Sequence, residues 1–274
     1  MHHMSSLPIY FPSDFDLVTA KLCAQLTAYA YQMYSQWVEQ DKPRKESGFT
    51  WQTPSGTGLV FSSPIWSTVR TLLITNDSEP FGFVASDGTG KGYLVFRGTE
   101  TVRNWFMDFD ADQEPYAFVS GYGEVHDGFS KLYRSLRQDA LKSFDEVGTI
   151  DSLWVTGHSL GCGLSTLAIP DVMAQRTFQS VQHYSFASPR VGNPAFTDRY
   201  NDNGVLTFRV VNTCDLVPQL PSAVLDRCVY KHVGLPVNFT AQYHHASANH
   251  SITGAYQYAL DHPQQPENTA AAAA

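Results

Sequence analysis

From Asp14 to Trp37, apolar residues recur every three or four positions, at Val18, Leu22, Leu26, Tyr29, Met33 and Trp37. That is the period of an amphipathic helix, and the segment reads as a packing element with no chemistry of its own. Next, Phe81–Ala85 and Lys91–Arg97 flank the turn sequence SDGTG, which predicts two strands joined by a glycine-rich hairpin. Short continuous apolar runs follow at Leu153–Thr156, Val181–Ala187 and Val205–Asn212. Helical spacing appears at Gly128–Phe144, where Phe129, Leu132, Leu136 and Leu141 share a face. Strands alternating with helices predict an α/β fold: a mostly parallel central sheet flanked by helices, with the first hairpin as its antiparallel portion. The stretch Ser152–Pro170 carries no Asp, Glu, Lys or Arg, but Gly157, Gly161, Gly163 and Pro170 interrupt it. It reads as strand, tight turn and buried helix, not as a membrane span.

The chain has 274 residues, long but ordinary for one α/β domain. Residues 14–262 are expected to form that single domain, with 1–13 as an N-terminal extension whose doubled histidine reads as a cloning remnant, and 263–274 as a flexible tail. No basic stretch followed by an apolar run suggests a leader at the N-terminus. Eighteen Lys plus Arg against 26 Asp plus Glu leave a net charge of −8. Without a basic block, nucleic acid and anionic membrane surfaces are poor partners. The four cysteines, Cys23, Cys162, Cys214 and Cys228, have no zinc-site spacing and are too few for a disulfide scaffold. They read as free thiols, with a Cys214–Cys228 bridge left open because only the fold sets their separation.

The candidate chemistry starts at Gly157-His158-Ser159-Leu160-Gly161, between a predicted strand and a predicted helix. This fits the G-x-S-x-G turn that holds a nucleophilic serine in a strained conformation at a helix N-terminus. A Cβ two residues to either side would collide with neighbouring backbone. His158 is read as pointing away from Ser159 and bonding to nearby loops. A serine nucleophile needs a near-neutral base oriented by a carboxylate, and in this fold the chain order is Ser, then Asp or Glu, then His. Asp215 closes the run VLTFRVVNTCD at a strand's C-terminal end, where open α/β sheets build their sites. Asp171, Asp198 and Asp202 fall in helical or turn contexts, and Asp226 precedes an expected strand Cys228–Val233. Of His232, His244, His245, His250 and His262, the one placed at a helix start is His250, before ITGAYQYAL. Thr99, just past the strand ending in Arg97 and Gly98, and the N–H of Leu160 are candidate oxyanion donors. Val102, Trp105, Phe106 and Phe109 then repeat at helical spacing opposite Arg103, Asp108 and Asp110, as a surface helix or a lid over the site would.

Several of these motifs in one order, FRGTETVRNWFMDFD, VHDGFSKLY, WVTGHSLGCGLSTLA, FASPRVGNPAF, FRVVNTCDLVPQLP and HSITGAYQY, resemble the class 3 lipases typified by filamentous-fungal triacylglycerol lipases. The resemblance covers roughly residues 80–260. It implies an α/β-hydrolase fold and a Ser159–Asp215–His250 triad. Thr99 and Leu160 would serve as oxyanion donors, with a lid at 103–110 and no metal or organic cofactor. A lipid or ester substrate is expected, and in the lid reading of the segment after Thr99 it would be admitted when the lid turns its apolar face outward against a lipid surface. Two positions depart from the family: Cys162 stands where a second small glycine is usual, and Gln219 where the fungal enzymes favour histidine. Fungal members are secreted and disulfide-bonded, and this cysteine pattern is not theirs, so their localisation does not transfer. Because a triad reads neither alcohol nor acyl length, phospholipase, feruloyl-type and short-chain esterase activities remain open. A non-catalytic lipid-binding module is the rival of another class.

Overall fold

The computed structural model describes residues 9–68, 78–99 and 112–263. Its central sheet contains β1 (Val60–Phe61), β2 (Ile65–Ser67), β3 (Glu79–Ser86), β4 (Lys91–Phe96), β5 (Ser152–His158), β6 (Ser180–Phe186), β7 (Leu206–Asn212) and β8 (Leu235–Phe239). The order across it is β1-β3-β4-β5-β6-β7-β8, with β2 also paired to β3. Pairings among β1 to β4 are antiparallel, and those from β4 to β8 are parallel. This is the expected mostly parallel sheet with an antiparallel first portion.

Both faces are covered, which is why the strand runs are almost continuously apolar. Alternation along β4 sends Leu94 and Phe96 into one core and Tyr93 and Val95 into another. On the first side lie α2 (Asp127–Ser143) and α3 (Leu160–Gln175), contributing Phe129, Leu132, Leu136, Leu164 and Leu167. On the other side α1 (Leu17–Glu39) brings Leu26, Ala30 and Met33 against Phe83 and Val95. A third cluster joins Cys23 and Ala24 of α1 to Phe186, Phe208, Val237 and Tyr256. Among the described residues no helix is long and apolar enough to cross a membrane.

Three details differ from the sequence reading. Helix α1 begins at Leu17, where the Asp16 carboxylate accepts the Thr19 N–H at 2.6 Å, so Val18 lies in the first turn and is 77% exposed. Its buried side intersperses small residues, Ala20, Cys23, Ala24, Thr27 and Ala30, with Leu26, Met33 and Trp37, so the large-residue stripe describes only part of it. The strand expected at Cys228–Val233 is instead a two-residue hairpin, Val224–Leu225 with Cys228–Val229, separate from the main sheet. Gly234, at φ 64°, turns the chain into β8, and Asp226 sits in the hairpin's turn. All four cysteines are free thiols, Cys23 and Cys162 buried and Cys214 and Cys228 half-buried.

Candidate active site

Strand β5 delivers its last residue, His158, directly into a turn whose single residue, Ser159, precedes α3. Ser159 has φ 57° and ψ −126°, a conformation that L-residues avoid and that costs on the order of 1–3 kcal/mol. The turn is tight because of what lies beside it. A Cβ on Gly161 would meet the carbonyl oxygens of Phe96 and Arg97 at 2.5 and 2.6 Å, so α3 starts hard against the end of β4. Cys162, the departure from the usual glycine, fits by directing its thiol at the carbonyls of Gly157 and Phe186, each at 3.1 Å.

Asp215 follows the end of β7, and His250 follows the short helix Ala246–Asn249, 35 residues later. The structure brings them together: His250 Nδ1 lies 2.7 Å from Asp215 Oδ2, and both side chains are nearly inaccessible. The carboxylate is satisfied on both oxygens, Oδ1 by the Val217 N–H at 3.0 Å and Oδ2 also by the Tyr256 hydroxyl at 2.7 Å. Burial and the neighbouring Asp215 charge push the Tyr256 phenol well above its ordinary pKa, so it stays a donor. Asn249 fastens the loop by donating to the Cys214 carbonyl at 3.0 Å while its own carbonyl accepts from Asn212 at 3.0 Å.

His158 stands between these elements. Its ring packs on that of His250 with centroids 4.5 Å apart, and Nε2 is 2.7 Å from the His250 carbonyl. A carbonyl only accepts, so Nε2 carries the proton and Nδ1 accepts from the Tyr31 hydroxyl, 2.7 Å away. Tyr31 in turn accepts the Gly98 N–H at 3.0 Å. Burial, reinforced by the nearby His250, holds the His158 pKa well below its ordinary value, so the ring is neutral and this tautomer persists. Helix α1 therefore does more than pack: through Tyr31 it ties the end of β4 to His158, beside the Ser159 turn.

Ser159 Oγ and His250 Nε2 are both buried and, among the described residues, neither has a hydrogen-bond partner. Thr99 is described and partly buried, and Leu160 opens α3, fully buried. Val102, Trp105, Phe106 and Phe109 lie outside the described residues. The rival acids are occupied elsewhere, Asp171 by Arg137 and Tyr133, and Asp198 by Lys231. Of the rival histidines, His232 bonds the Pro218 carbonyl, while His244, His245 and His262 are exposed. Sequence reasoning missed Tyr256 and Tyr31. Nothing in ITGAYQYAL or in α1 separates them from the core aromatics around them.

Residues 93–225 match the family model of the class 3 lipases. The chain is similar to a lipase of Rhizomucor miehei, 35% identical over 148 residues, 52% of this chain and 40% of that protein. It is also similar to secreted mono- and diacylglycerol lipase A of Penicillium camembertii, 36% identical over 149 residues, 53% of this chain and 48% of that protein. A Caenorhabditis elegans lipase is 34% identical over 176 residues, 60% of this chain and 49% of that protein. The chain thus spans about half the length of the curated relatives it matches. Among solved structures, it resembles a triacylglycerol lipase whose catalytic centre is a serine-protease triad, at TM-score 0.64 and 27% identity, covering 84% of this chain and 82% of that one. The architecture is the α/β-hydrolase fold.

Proposed function

We propose that this chain, which belongs to the class 3 lipase family, is a serine carboxylic-ester hydrolase that cleaves acylglycerol esters through an acyl-enzyme intermediate. One observation carries the reading. A buried serine hydroxyl and a buried imidazole nitrogen stand without partners while the other side of that imidazole is bonded to a buried carboxylate. Leaving buried polar atoms unpaired costs on the order of 1–3 kcal/mol each, and such groups call for a role beyond packing.

In the reaction, His250 Nε2 takes the proton of Ser159 as Oγ attacks the ester carbonyl. Asp215 fixes the tautomer by accepting from Nδ1–H and stabilises the imidazolium that forms. Tyr256 and the Val217 N–H keep the carboxylate in place for that task. The oxyanion is held by Thr99 and by the N–H of Leu160, where the start of α3 also presents its positive dipole end. His250 then protonates the leaving alcohol, and a water activated in the same way releases the fatty acid. None of these steps recognises the alcohol or the acyl chain. The acylglycerol assignment is supported by the similar lipases and by the amphipathic sequence that follows Thr99.

Replacing Ser159 with Ala tests the reading. Hydrolysis of a p-nitrophenyl or glycerol ester is expected to fall by at least about 1,000-fold, and labelling by a fluorophosphonate probe to vanish, with the melting temperature unchanged or raised as the buried, unpaired hydroxyl is removed. Activity close to that of the unmutated protein would overturn it.

A further inference from the structure

Glu79 and Arg97 form an ion pair with side chains 5% and 1% exposed, joined from Nη2 to Oε1 at 3.0 Å. Burying two charges is costly enough that a well-packed apolar pair is often equally stable. What an apolar pair cannot do is aim several donors at once. The Arg97 guanidinium packs over the rings of Tyr34 and Phe81, its Cζ 3.8 and 4.3 Å from their centroids. From that position Nε donates to the Pro80 carbonyl and Nη1 to the Gly98 carbonyl, both at 2.7 Å.

Gly98 is therefore fixed at both of its polar groups, since its N–H is the one that donates to Tyr31. It also lies against the nucleophile turn: a Cβ there would come within 2.8 Å of both Ser159 Cβ and the His158 carbonyl oxygen. In a trans peptide, C=O and N–H point in opposite directions. With the Gly98 carbonyl turned toward Arg97, the Thr99 N–H is turned away from the guanidinium. If the same peptide were free to flip, it would present a carbonyl oxygen where a donor is needed.

We propose that Arg97, oriented by Glu79, is a positioning residue for oxyanion stabilisation: it locks the Gly98–Thr99 peptide so that the Thr99 N–H serves the developing charge without reorganising. This rests on the ester-hydrolase reading given above. Preorganised donors are effective because their orientation is set before the charge appears. Lysine at this position supplies a single charged point and cannot hold Pro80, Gly98 and Glu79 together.

The test compares the unmutated protein with Arg97→Met and Arg97→Lys on a soluble short-chain p-nitrophenyl ester, with sites counted from the endpoint of fluorophosphonate labelling. Inhibition by an alkylboronic acid, whose adduct with the serine imitates the tetrahedral intermediate, is measured alongside. The expected result in both variants is a kcat per labelled site lower by about 100–1,000-fold, with KM within about threefold. The boronic acid inhibition constant should weaken by a comparable factor. A merely structural role would lower the number of labelled sites and leave kcat per site unchanged, and that outcome overturns the proposal. So does a boronic acid constant that stays put while kcat falls. Should Arg97→Met fail to fold, Arg97→Lys is read by the same criteria. Failure of the underlying reading shows itself separately, as unmutated protein whose ester hydrolysis does not depend on Ser159.

Discussion

Oδ2 of Asp215 accepts from both His250 and Tyr256, so the two donors share one buried oxygen. Hydrogen bonds to an ionised group are worth about 1.5–3 kcal/mol when the partner is left buried and unpaired. Tyr256→Phe is therefore expected to lower kcat/KM for a soluble ester by at least about tenfold, because the carboxylate that orients His250 gains freedom to rotate. It also orphans the Asn212 N–H, which reaches the Tyr256 hydroxyl at 3.3 Å, so a lower melting temperature accompanies the loss. An unchanged kcat/KM would show that Val217 and His250 suffice to hold Asp215. Asp215 and His250 were legible because their positions are set by chain order and by the apolar runs that bracket them. Tyr256 and Tyr31 were not, because an aromatic that fills a core and one that aims its hydroxyl at a buried acceptor obey the same hydrophobic spacing. Only the three-dimensional meeting of segments 41 and 127 residues apart distinguishes them.

Helices α2 and α3 are joined by a clamp that lies away from the site. Arg137 grips Asp171 with two bonds, Nε to Oδ2 at 2.6 Å and Nη2 to Oδ1 at 2.8 Å, and the Tyr133 hydroxyl adds a third at 2.8 Å. Asp171 is fully buried, whereas the Arg137 side chain is 33% exposed. Arg137→Ala strands the carboxylate with Tyr133 alone. After discounting for the solvent that reaches Arg137, a loss of about 2–3 kcal/mol is expected. For a chain of this size that is a fall in melting temperature of about 5–10 °C. Thermal melts check it, and kcat per labelled site should not change, since the clamp touches none of the proposed site. The double variant Arg137→Met with Asp171→Leu should recover much of the loss. Most elements were visible as hydrophobic periodicity, yet the periodicity misassigned Val18 and the segment after Cys228. In the first case small residues make up much of the buried face of α1, and in the second Gly234 breaks the chain before the strand that joins the sheet. Neither a contact made by small residues nor a change of sheet leaves a mark in the spacing of large apolar residues.

Across the whole molecule, buried histidines tie stability to pH. His158 is 3% exposed and His183 fully buried, and burial pushes His183 down to about 3 and His158 well below 6.5. Each is bonded as a neutral ring, His183 between Ser165 and Tyr200 and His158 between Tyr31 and the His250 carbonyl. In the unfolded chain both take up a proton near pH 6.5. Above that pH neither state binds these protons and stability does not depend on them. Below it the unfolded state binds more protons than the folded one, so stability falls as pH falls, and for His183 the fall continues to about pH 3. The slope is about 1.4 kcal/mol per unit for each ring, close to 3 for the pair. Half-buried His232, also lowered to about 3, adds in the same direction. Between pH 6.5 and 5 His183 alone removes about 1.7 kcal/mol, a sizeable part of the roughly 5–15 kcal/mol that holds a typical domain together, and His158 adds to it in the same direction. Urea midpoints measured from pH 8 to 4.5 should therefore be level above about 7 and drop steeply below about 6.5. His183→Gln, which can still bond Ser165 and Tyr200, should reduce that lower slope by one proton's worth. A midpoint that stays level down to pH 5 would mean that these rings are protonated in the fold, and with that the tautomer assigned to His158, and the chain of bonds running from Gly98 to the His250 carbonyl, would have to be given up.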